Sequence, residues 1–156
     1  MMRGKDLSFN ESEGTFAHRV AAIIIKDNKM LLAKSSEHPC YYAIGGAVEI
    51  NETSEEAVIR EVSEELGLNI EIDRLICVQE RFLTVSDKKY HEVGFYYLMK
   101  IGMDFNIACN SHTDQPMETL HWISLDDLLN VNIVPESLKS LDYNQSQIIH
   151  IISKES

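Results

Sequence analysis

The segment from Thr53 to Gly67 constrains the fold most, because it carries the start, the end and the two faces of an amphipathic helix. Thr53 and Glu56 have the spacing of a capping box, in which two side chains satisfy the first free backbone N–H groups. Gly67 is placed to end the helix in a left-handed conformation. One face carries an apolar stripe that can pack on a core, formed by Ile59, Val62 and Leu66. The pattern predicts a helix from Thr53 to Leu66.

The same segment is strongly acidic. Seven carboxylates fall within seventeen residues and share one cation, Arg60: Glu49, Glu52, Glu55, Glu56, Glu61, Glu64 and Glu65. At about 100° per residue, the last three lie within an arc of about 100° on the helix. Like charges at these spacings destabilise a helix by about 0.2–0.5 kcal/mol per pair, and a divalent cation would offset that repulsion. From the helix alone, a metal site and a solvated acidic face both remain open.

Composition narrows the range of partners. The 156 residues contain 25 acidic and 14 basic side chains, which gives a formal charge of −11. Such a chain lacks the basic face that holds a nucleic-acid backbone, so nucleic acid is excluded as a partner. The longest aliphatic run, Val20 to Ile25, is far shorter than the roughly 20 residues of a membrane-spanning helix. No secretory signal is recognised at the N-terminus, and a cytoplasmic protein without membrane partners is predicted.

Strand-like runs surround the helix. Phe16–Lys26 and Met30–Lys34 predict a hairpin, Glu71–Leu83 and Tyr90–Ile101 predict a second strand pair, and Leu120–Ile123 predicts a further strand. A short helix is expected after Ser124, and residues 136–152 are expected to be helical. Residues 1–14 are expected to be a loose N-terminal segment, followed by a single domain over residues 15–156. Together these elements predict a mixed sheet packed with helices, of α/β or α+β class.

A glycine pair precedes the helix. Gly45 and Gly46 follow the short apolar run Tyr41–Ile44, where a strand could end. Glycine allows a backbone to approach a ligand closely, so a carbonyl here could add a metal ligand. A plain turn is the alternative.

The residues from Gly46 to Leu68 resemble the signature of the Nudix hydrolases, G-x5-E-x7-R-E-U-x-E-E-x-G-U, in which U is aliphatic. Gly46, then five residues, Glu52, then seven residues, and the run Arg60–Leu68 agree at every fixed position. The nine specified positions span 23 residues with fixed spacing, so a chance match is improbable. The resemblance extends over about residues 16 to 130.

The resemblance implies an α/β/α sandwich with a central mixed β-sheet. It also implies hydrolysis of a nucleoside diphosphate linked to another moiety, with Mg²⁺ or Mn²⁺ as cofactor. Carried over by position, the metal ligands are the side chains of Glu61, Glu64 and Glu65 and the carbonyl of Gly45. Arg60 and Glu52 would orient and charge-balance this cluster. Homodimers are frequent in families of this kind, so a homodimer is a further expectation.

The catalytic base and the substrate contacts are less constrained. Glu64 or Glu65 is a candidate general base, and Glu118 is a candidate outside the signature, with an exposed loop glutamate as its alternative. Arg81 is suited to bidentate phosphate contact, or to a surface ion pair with Glu80 or Glu92. Phe82 and His91 are candidate substrate contacts. Core packing is the alternative for Phe82, and a structural hydrogen bond is the alternative for His91.

Three functions compete. The first is a metal-dependent pyrophosphohydrolase acting on a small nucleotide, such as a nucleoside triphosphate, ADP-ribose or a nucleotide sugar. The second is a noncatalytic nucleotide-binding regulatory module on the same fold, and the third is an acidic interaction domain without a ligand. The intact glutamates 61, 64 and 65 favour the first.

Overall fold

The computed structural model describes residues 4–155, which contain ten strands, one α-helix and two short 3-10 helices. The strands are β1 Ser8–Glu11, β2 Gly14–Ile23, β3 Ile25–Lys26, β4 Lys29–Ser35, β5 Tyr41–Tyr42, β6 Ile44–Ala47, β7 Glu71–Val85, β8 Lys88–Lys100, β9 Glu118–Ser124 and β10 Ile149–Glu155. The helix, α1, spans Ser54–Leu66, and the 3-10 helices span Leu125–Asn130 and Glu136–Lys139. No helix within residues 4–155 is long and apolar enough to cross a membrane.

The strands form two sheets. The larger has the order β1-β2-β8-β7-β10, and β6 also pairs with β2. It is mixed, because β2 pairs with β8 and β7 pairs with β10 in parallel while its other pairs are antiparallel. The smaller sheet has the order β3-β4-β5, with β9 also paired to β4. The predicted mixed sheet is confirmed.

Two apolar cores lie on opposite faces of β2. Successive strand side chains point to opposite faces, and Ala22 belongs to one core while Ile23 belongs to the other. The first core includes Val58 and Val62 of α1. The second includes Leu128 of the first 3-10 helix, together with Leu138 of the other. The fold is thus α+β with one main helix, and 3-10 helices form the second helical layer.

The helix prediction is confirmed at both ends. Thr53 is the N-cap, and the backbone N–H of Thr53 donates to Glu56 Oε2 at 2.8 Å. The backbone N–H of Glu56 donates to Thr53 Oγ1 at 3.1 Å, which completes the capping box. Gly67 ends the helix with φ of 69°, in the left-handed region.

The first predicted hairpin is wrong except at its turn. Only Ile25 and Lys26 pair with β4, whereas the preceding strand β2 pairs with β8 and β6 in the other sheet. A continuous aliphatic run is typical of a strand buried on both faces, and its length does not reveal where the chain changes sheets. The second predicted hairpin is confirmed, with longer strands and a two-residue turn at Ser86–Asp87 in which both φ angles are positive.

The predicted helix over residues 136–152 is wrong. This segment contains a four-residue 3-10 helix and then β10, which pairs in parallel with β7. Ile149 and Ile151 are partly buried while His150 and Ile152 are exposed, which is the period of two of a strand. Part of the N-terminal segment predicted to be loose is also a strand, because Ser8–Glu11 pairs with β2; residues 1–3 lie outside the described residues.

We predict that Gly67→Ala lowers the free energy of unfolding by about 1 kcal/mol. A Cβ at this position meets no atom within 4 Å, so the loss comes from the left-handed backbone and not from a clash. Gly67→Asn is the matched variant and should lose less, because asparagine tolerates this conformation better. Urea denaturation of the three proteins measures both values, and an alanine variant as stable as the wild type would contradict the expectation.

Candidate active site

The two glycines of β6 lie close to the backbone of β2 on one side and to a carboxylate of α1 on the other. A Cβ on Gly45 would lie 2.0 Å from the carbonyl oxygen of Val20 on β2. A Cβ on Gly46 would lie 2.4 Å from Oε1 of Glu61 on α1. Gly45 is therefore required by the close approach of the β2 backbone, and a side chain at position 46 would displace the Glu61 carboxylate. Both glycines lie within β6, so the alternative of a plain turn is wrong. The buried carboxylate of Glu61 occupies the space that a side chain at position 46 would fill.

Arg60 connects the helix to the chain that precedes it. Its Nε and Nη2 donate to the two carboxylate oxygens of Glu52 at 2.7 and 3.1 Å. Nη2 also donates to the carbonyl of Ala47 at 3.0 Å, and Nη1 donates to Glu61 Oε1 at 2.8 Å. Nη1 lies 3.4 Å from Glu64 Oε1. The hydrogen bond to Glu52, and then that to Glu61, raise the pKa of the guanidinium, so Arg60 stays charged.

Glu49 extends this network and had no role in the sequence-based interpretation. Its carboxylate is buried, accepts a hydrogen bond from the Gly4 backbone at 2.8 Å and lies 3.8 Å from Arg60. Its backbone N–H donates to Glu52 Oε2 at 2.8 Å. Glu52 is thus held from two sides, which orients the carboxylate that orients Arg60.

Glu65 and Glu118 are brought together from segments 53 positions apart in the sequence. Burial, and after it the charges of Glu118, Glu61 and Asp114, raise the pKa of Glu65 to about 9, against a hydrogen bond from the Gly45 backbone. Strand β9 places Glu118 there by pairing with β4. These carboxylates repel one another across a shared space.

Glu118 is held by two hydroxyl groups. Tyr42 donates to Glu118 Oε2, and Thr113 donates to Glu118 Oε1 at 2.9 Å. Burial and the hydrogen bond to this carboxylate raise the pKa of Tyr42, so Tyr42 remains a donor. Glu118 is half-buried and oriented, so the alternative of an exposed loop glutamate is wrong.

A cleft of about 760 Å³ opens beside these carboxylates. Its lining includes Gly45, Glu65 and Glu118, together with Tyr42 and Arg81. Arg81 Nε and Nη2 donate to the two carboxylate oxygens of Glu155 at 2.9 and 3.0 Å. Arg81 therefore lies in the cleft as expected, but its guanidinium is paired with β10 and not with Glu80 or Glu92.

Phe82 and His91 lie outside this cleft. They are directly paired across β7 and β8, and their rings stack with centroids 4.3 Å apart; the rings of Phe16 and His91 are perpendicular, with centroids 5.3 Å apart. They line a separate pocket of about 610 Å³, because neighbours along a strand point to opposite faces. The buried Nε2 of His91 has no hydrogen-bond partner among residues 4–155, so the structural hydrogen bond considered for this histidine is not seen at that atom.

Sequence reasoning missed two polar residues of the site. Arg19 is exposed and lines the cleft from the middle of β2, and Thr113 binds Glu118. A cation inside a run otherwise read as buried strand was the available signal for Arg19. No local pattern marks Thr113, which lies in a loop.

Comparisons with known proteins identify the family to which this fold and its acidic cleft belong. The family model for the NUDIX domain matches residues 16–143. This chain therefore belongs to the Nudix family and is a Nudix-type hydrolase.

Two curated relatives carry names of pyrophosphohydrolases. An ADP-ribose pyrophosphatase of Methanocaldococcus jannaschii is 38% identical over 85 residues, which cover 53% of this chain and 49% of the relative. The match thus spans about half the length of that relative. A CTP pyrophosphohydrolase of Escherichia coli is 29% identical over 127 residues, covering 79% of this chain and 87% of the relative.

Solved structures share the fold. The mutator MutT protein from Bacillus halodurans superposes with a TM-score of 0.67 at 17% identity, covering 88% of this chain and 89% of the other. A MutT NUDIX hydrolase from Burkholderia pseudomallei superposes with a TM-score of 0.55 at 27% identity, covering 80% and 95%. The first likeness, at low identity, supports the fold alone.

We predict that Glu65→Gln stabilises the metal-free protein increasingly as the pH rises. The pKa of Glu65 is about 9 in the folded protein, against 4.5 for the ordinary side chain. Between pH 4.5 and about pH 9, the folded wild type therefore keeps a proton on Glu65 that the unfolded chain releases. Wild-type stability therefore falls as the pH rises through this window, by up to about 1.4 kcal/mol per pH unit. The glutamine variant lacks this contribution.

Urea unfolding in EDTA at pH 5 and pH 8 measures the difference. The exposed Glu55→Gln variant controls for the loss of one charge from the same helix. A stability difference between Glu65→Gln and wild type that is equal at both pH values would refute the expectation.

Proposed function

We propose that this protein hydrolyses the diphosphate linkage of a nucleoside diphosphate derivative with Mg²⁺ or Mn²⁺. The proposed metal ligands are the carboxylates of Glu61, Glu64 and Glu65 and the carbonyl of Gly45. The observation that carries the proposal is the placement of Glu65 and Glu118 beside Gly45 in the lining of the cleft, where burial and the charges of Glu118 and Glu61 raise the pKa of Glu65. A divalent cation bound between the carboxylates would remove their repulsion. Carboxylates spread over a solvated face would not repel one another in this way.

The chemistry of the donors fits a hard divalent ion, because all of them are oxygen atoms. Within residues 4–155, no three acidic, histidine or cysteine side chains already converge as a metal site. Arg60 holds Glu61 and contacts Glu64, so we propose that these two carboxylates turn toward the ion when it binds. Such an ion would lower the pKa of a bound water, polarise a phosphoryl oxygen and screen the substrate's negative charge from the carboxylates.

The residues of the chain have separate roles in this proposal. Arg60, oriented by Glu52, balances the charge of the glutamates and fixes the helix against Ala47. Glu118 is the proposed general base, because its carboxylate lines the cleft and is oriented there by the hydroxyl groups of Tyr42 and Thr113. Glu64 and Glu65 remain the alternatives for that role.

The substrate class is proposed from the cleft and from the relatives. ADP-ribose, a nucleoside triphosphate such as CTP, and a nucleotide sugar are the candidates, since the two curated relatives are named for the first two kinds. Arg81 and Tyr42 line the proposed substrate cleft, whereas Phe82 and His91 line the other pocket and are left out of the proposal. A cytoplasmic location and a homodimer stay predictions from the sequence.

Metal removal should abolish turnover, and Glu64→Gln or Glu65→Gln should reduce it strongly. We expect losses in kcat/KM larger than the roughly 10–100-fold typical of a residue that only supports a metal ligand. The measurement is product release from ADP-ribose, nucleoside triphosphates and nucleotide sugars with Mg²⁺, Mn²⁺ or EDTA. Glu55→Gln, exposed on the same helix, is the control.

Two results would contradict this function. Full activity in excess EDTA would rule out the metal mechanism. Metal-dependent nucleotide binding without turnover of any compound would favour the noncatalytic regulatory module.

Glu118→Gln should lower kcat by about 100-fold or more with little change in KM, because a general base acts in the chemical step. Tyr42→Phe removes one hydrogen bond to Glu118 and should lower kcat by a smaller factor. Tyr41→Phe is the matched control, since Tyr41 contacts His121 and packs against the second core, on the face of β5 opposite to Tyr42. Steady-state kinetics across pH measure both effects, and a wild-type kcat in Glu118→Gln would return the role to Glu64 or Glu65.

A further inference from the structure

Arg19 is an exposed cation in the cleft that is left without an ionic partner. Within residues 4–155, no carboxylate forms an ion pair with it, whereas the other arginines of this part of the chain are all held. Arg60 binds Glu52 and Glu61, and Arg81 binds Glu155. Arg74 donates to the carbonyls of Gln145 and Tyr143. Because Arg19 also lines the cleft, its guanidinium is available to an anion that enters from outside.

Small residues flank Arg19 along β2 and at its paired positions on β6 and β8. Along β2, the neighbours facing the same side are Ala17 and Ala21, because side chains alternate. Across the strand pairs, Arg19 lies opposite Gly94 on β8 and Ala47 on β6. Two longer side chains of β8, Glu92 and Tyr96, lie beside Gly94, and Arg19 is the cation among them.

The position of Arg19 relates it directly to the proposed metal site. Ala21, two residues further along β2, pairs with Gly45. Two residues of a strand span about 7 Å, which is within the reach of an arginine side chain. If one phosphoryl group of a diphosphate is held near Gly45 and Glu65, the second phosphoryl group would therefore lie beside Arg19.

A carboxylate of β8 lies close to this patch. Glu92 is two residues from Gly94 and is buried, and within residues 4–155 no ion pair joins it to Arg19. Arg81, the partner of Glu92 in the backbone register of β7 and β8, binds Glu155. The guanidinium of Arg19 thus remains available, and its planar fork suits bidentate contact with a phosphoryl group.

We propose that Arg19 binds the phosphoryl group of the substrate diphosphate that lies next to the metal-bound one. This proposal rests on the proposed function and deepens it. It requires a ligand with two adjacent phosphoryl groups. These groups would lie along β2, from Ala21, which pairs with Gly45, toward Thr15. The rest of the substrate then extends over the part of the cleft bordered by Tyr90.

Kinetics provide the first test. Arg19→Gln should lower kcat/KM for the substrate found in the panel by about 10- to 100-fold, the range expected for a lost charged hydrogen bond. Arg19→Lys keeps the charge without the fork and should retain part of the activity. Lys100→Gln, an exposed charge removal on β8 outside the cleft, is the control. Activity of Arg19→Gln within twofold of wild type would overturn the proposal.

Binding provides a test that does not depend on turnover. Calorimetry with Mn²⁺ compares methylenediphosphonate, which has two phosphoryl groups and resists hydrolysis, with inorganic phosphate, which has one. Arg19→Gln should raise the Kd of methylenediphosphonate at least about tenfold and change that of phosphate less than twofold. Equal effects on the two ligands, or no binding of methylenediphosphonate to wild type, would overturn the proposal.

The two proposals can fail separately. If the wild type binds methylenediphosphonate through Arg19 but turns over no nucleotide, the proposed hydrolase activity fails and the diphosphate contact stands. If nucleotides are hydrolysed while Arg19→Gln binds and reacts as the wild type does, only the Arg19 proposal fails. Circular dichroism checks that each variant is folded.

Discussion

The close approach of β6 to β2 and α1 is the constraint on which the site depends. It is possible only because Gly45 and Gly46 lack side chains, since a Cβ at either position would overlap Val20 or Glu61. Arg60 then fixes the arrangement by binding Glu52, Glu61 and the Ala47 carbonyl together. The strand, the loop and the helix thus form one unit, and the buried carboxylate of Glu61 is directed at the glycine backbone.

The charges of this unit are not balanced within it. Arg60 compensates Glu52 and Glu61, but burial and then the charges of Glu118, Glu61 and Asp114 raise the pKa of Glu65 to about 9. A protein gains nothing in stability from such repulsion. The proposed divalent cation would relieve this repulsion, and Nudix hydrolases generally use such ions. Arg19 lines the same cleft as Glu65 and Glu118 and adds a cation there.

Prediction from the sequence succeeded where the pattern was local. The capping box of Thr53 and Glu56 and the termination at Gly67 were correct, because helix hydrogen bonds and caps join residues that are close in sequence. Prediction failed where a segment's partner is distant: the run after Val20 belongs to two sheets, and the chain beyond residue 136 ends in a strand on β7. Phe82 and His91 were misplaced for a related reason, since adjacent strand residues face opposite sides.

The sequence by itself determined the helix, its glutamates, the single arginine among them and the family, because spacing within 23 residues carries all of these. The tertiary structure decided which distant residues join them. Strand pairing brings Glu118 to Glu65, hydrogen bonding orients it through Tyr42, and sheet alternation puts Arg19 into the cleft. Such contacts depend on the register of strands far apart in the chain, and no local spacing encodes that register.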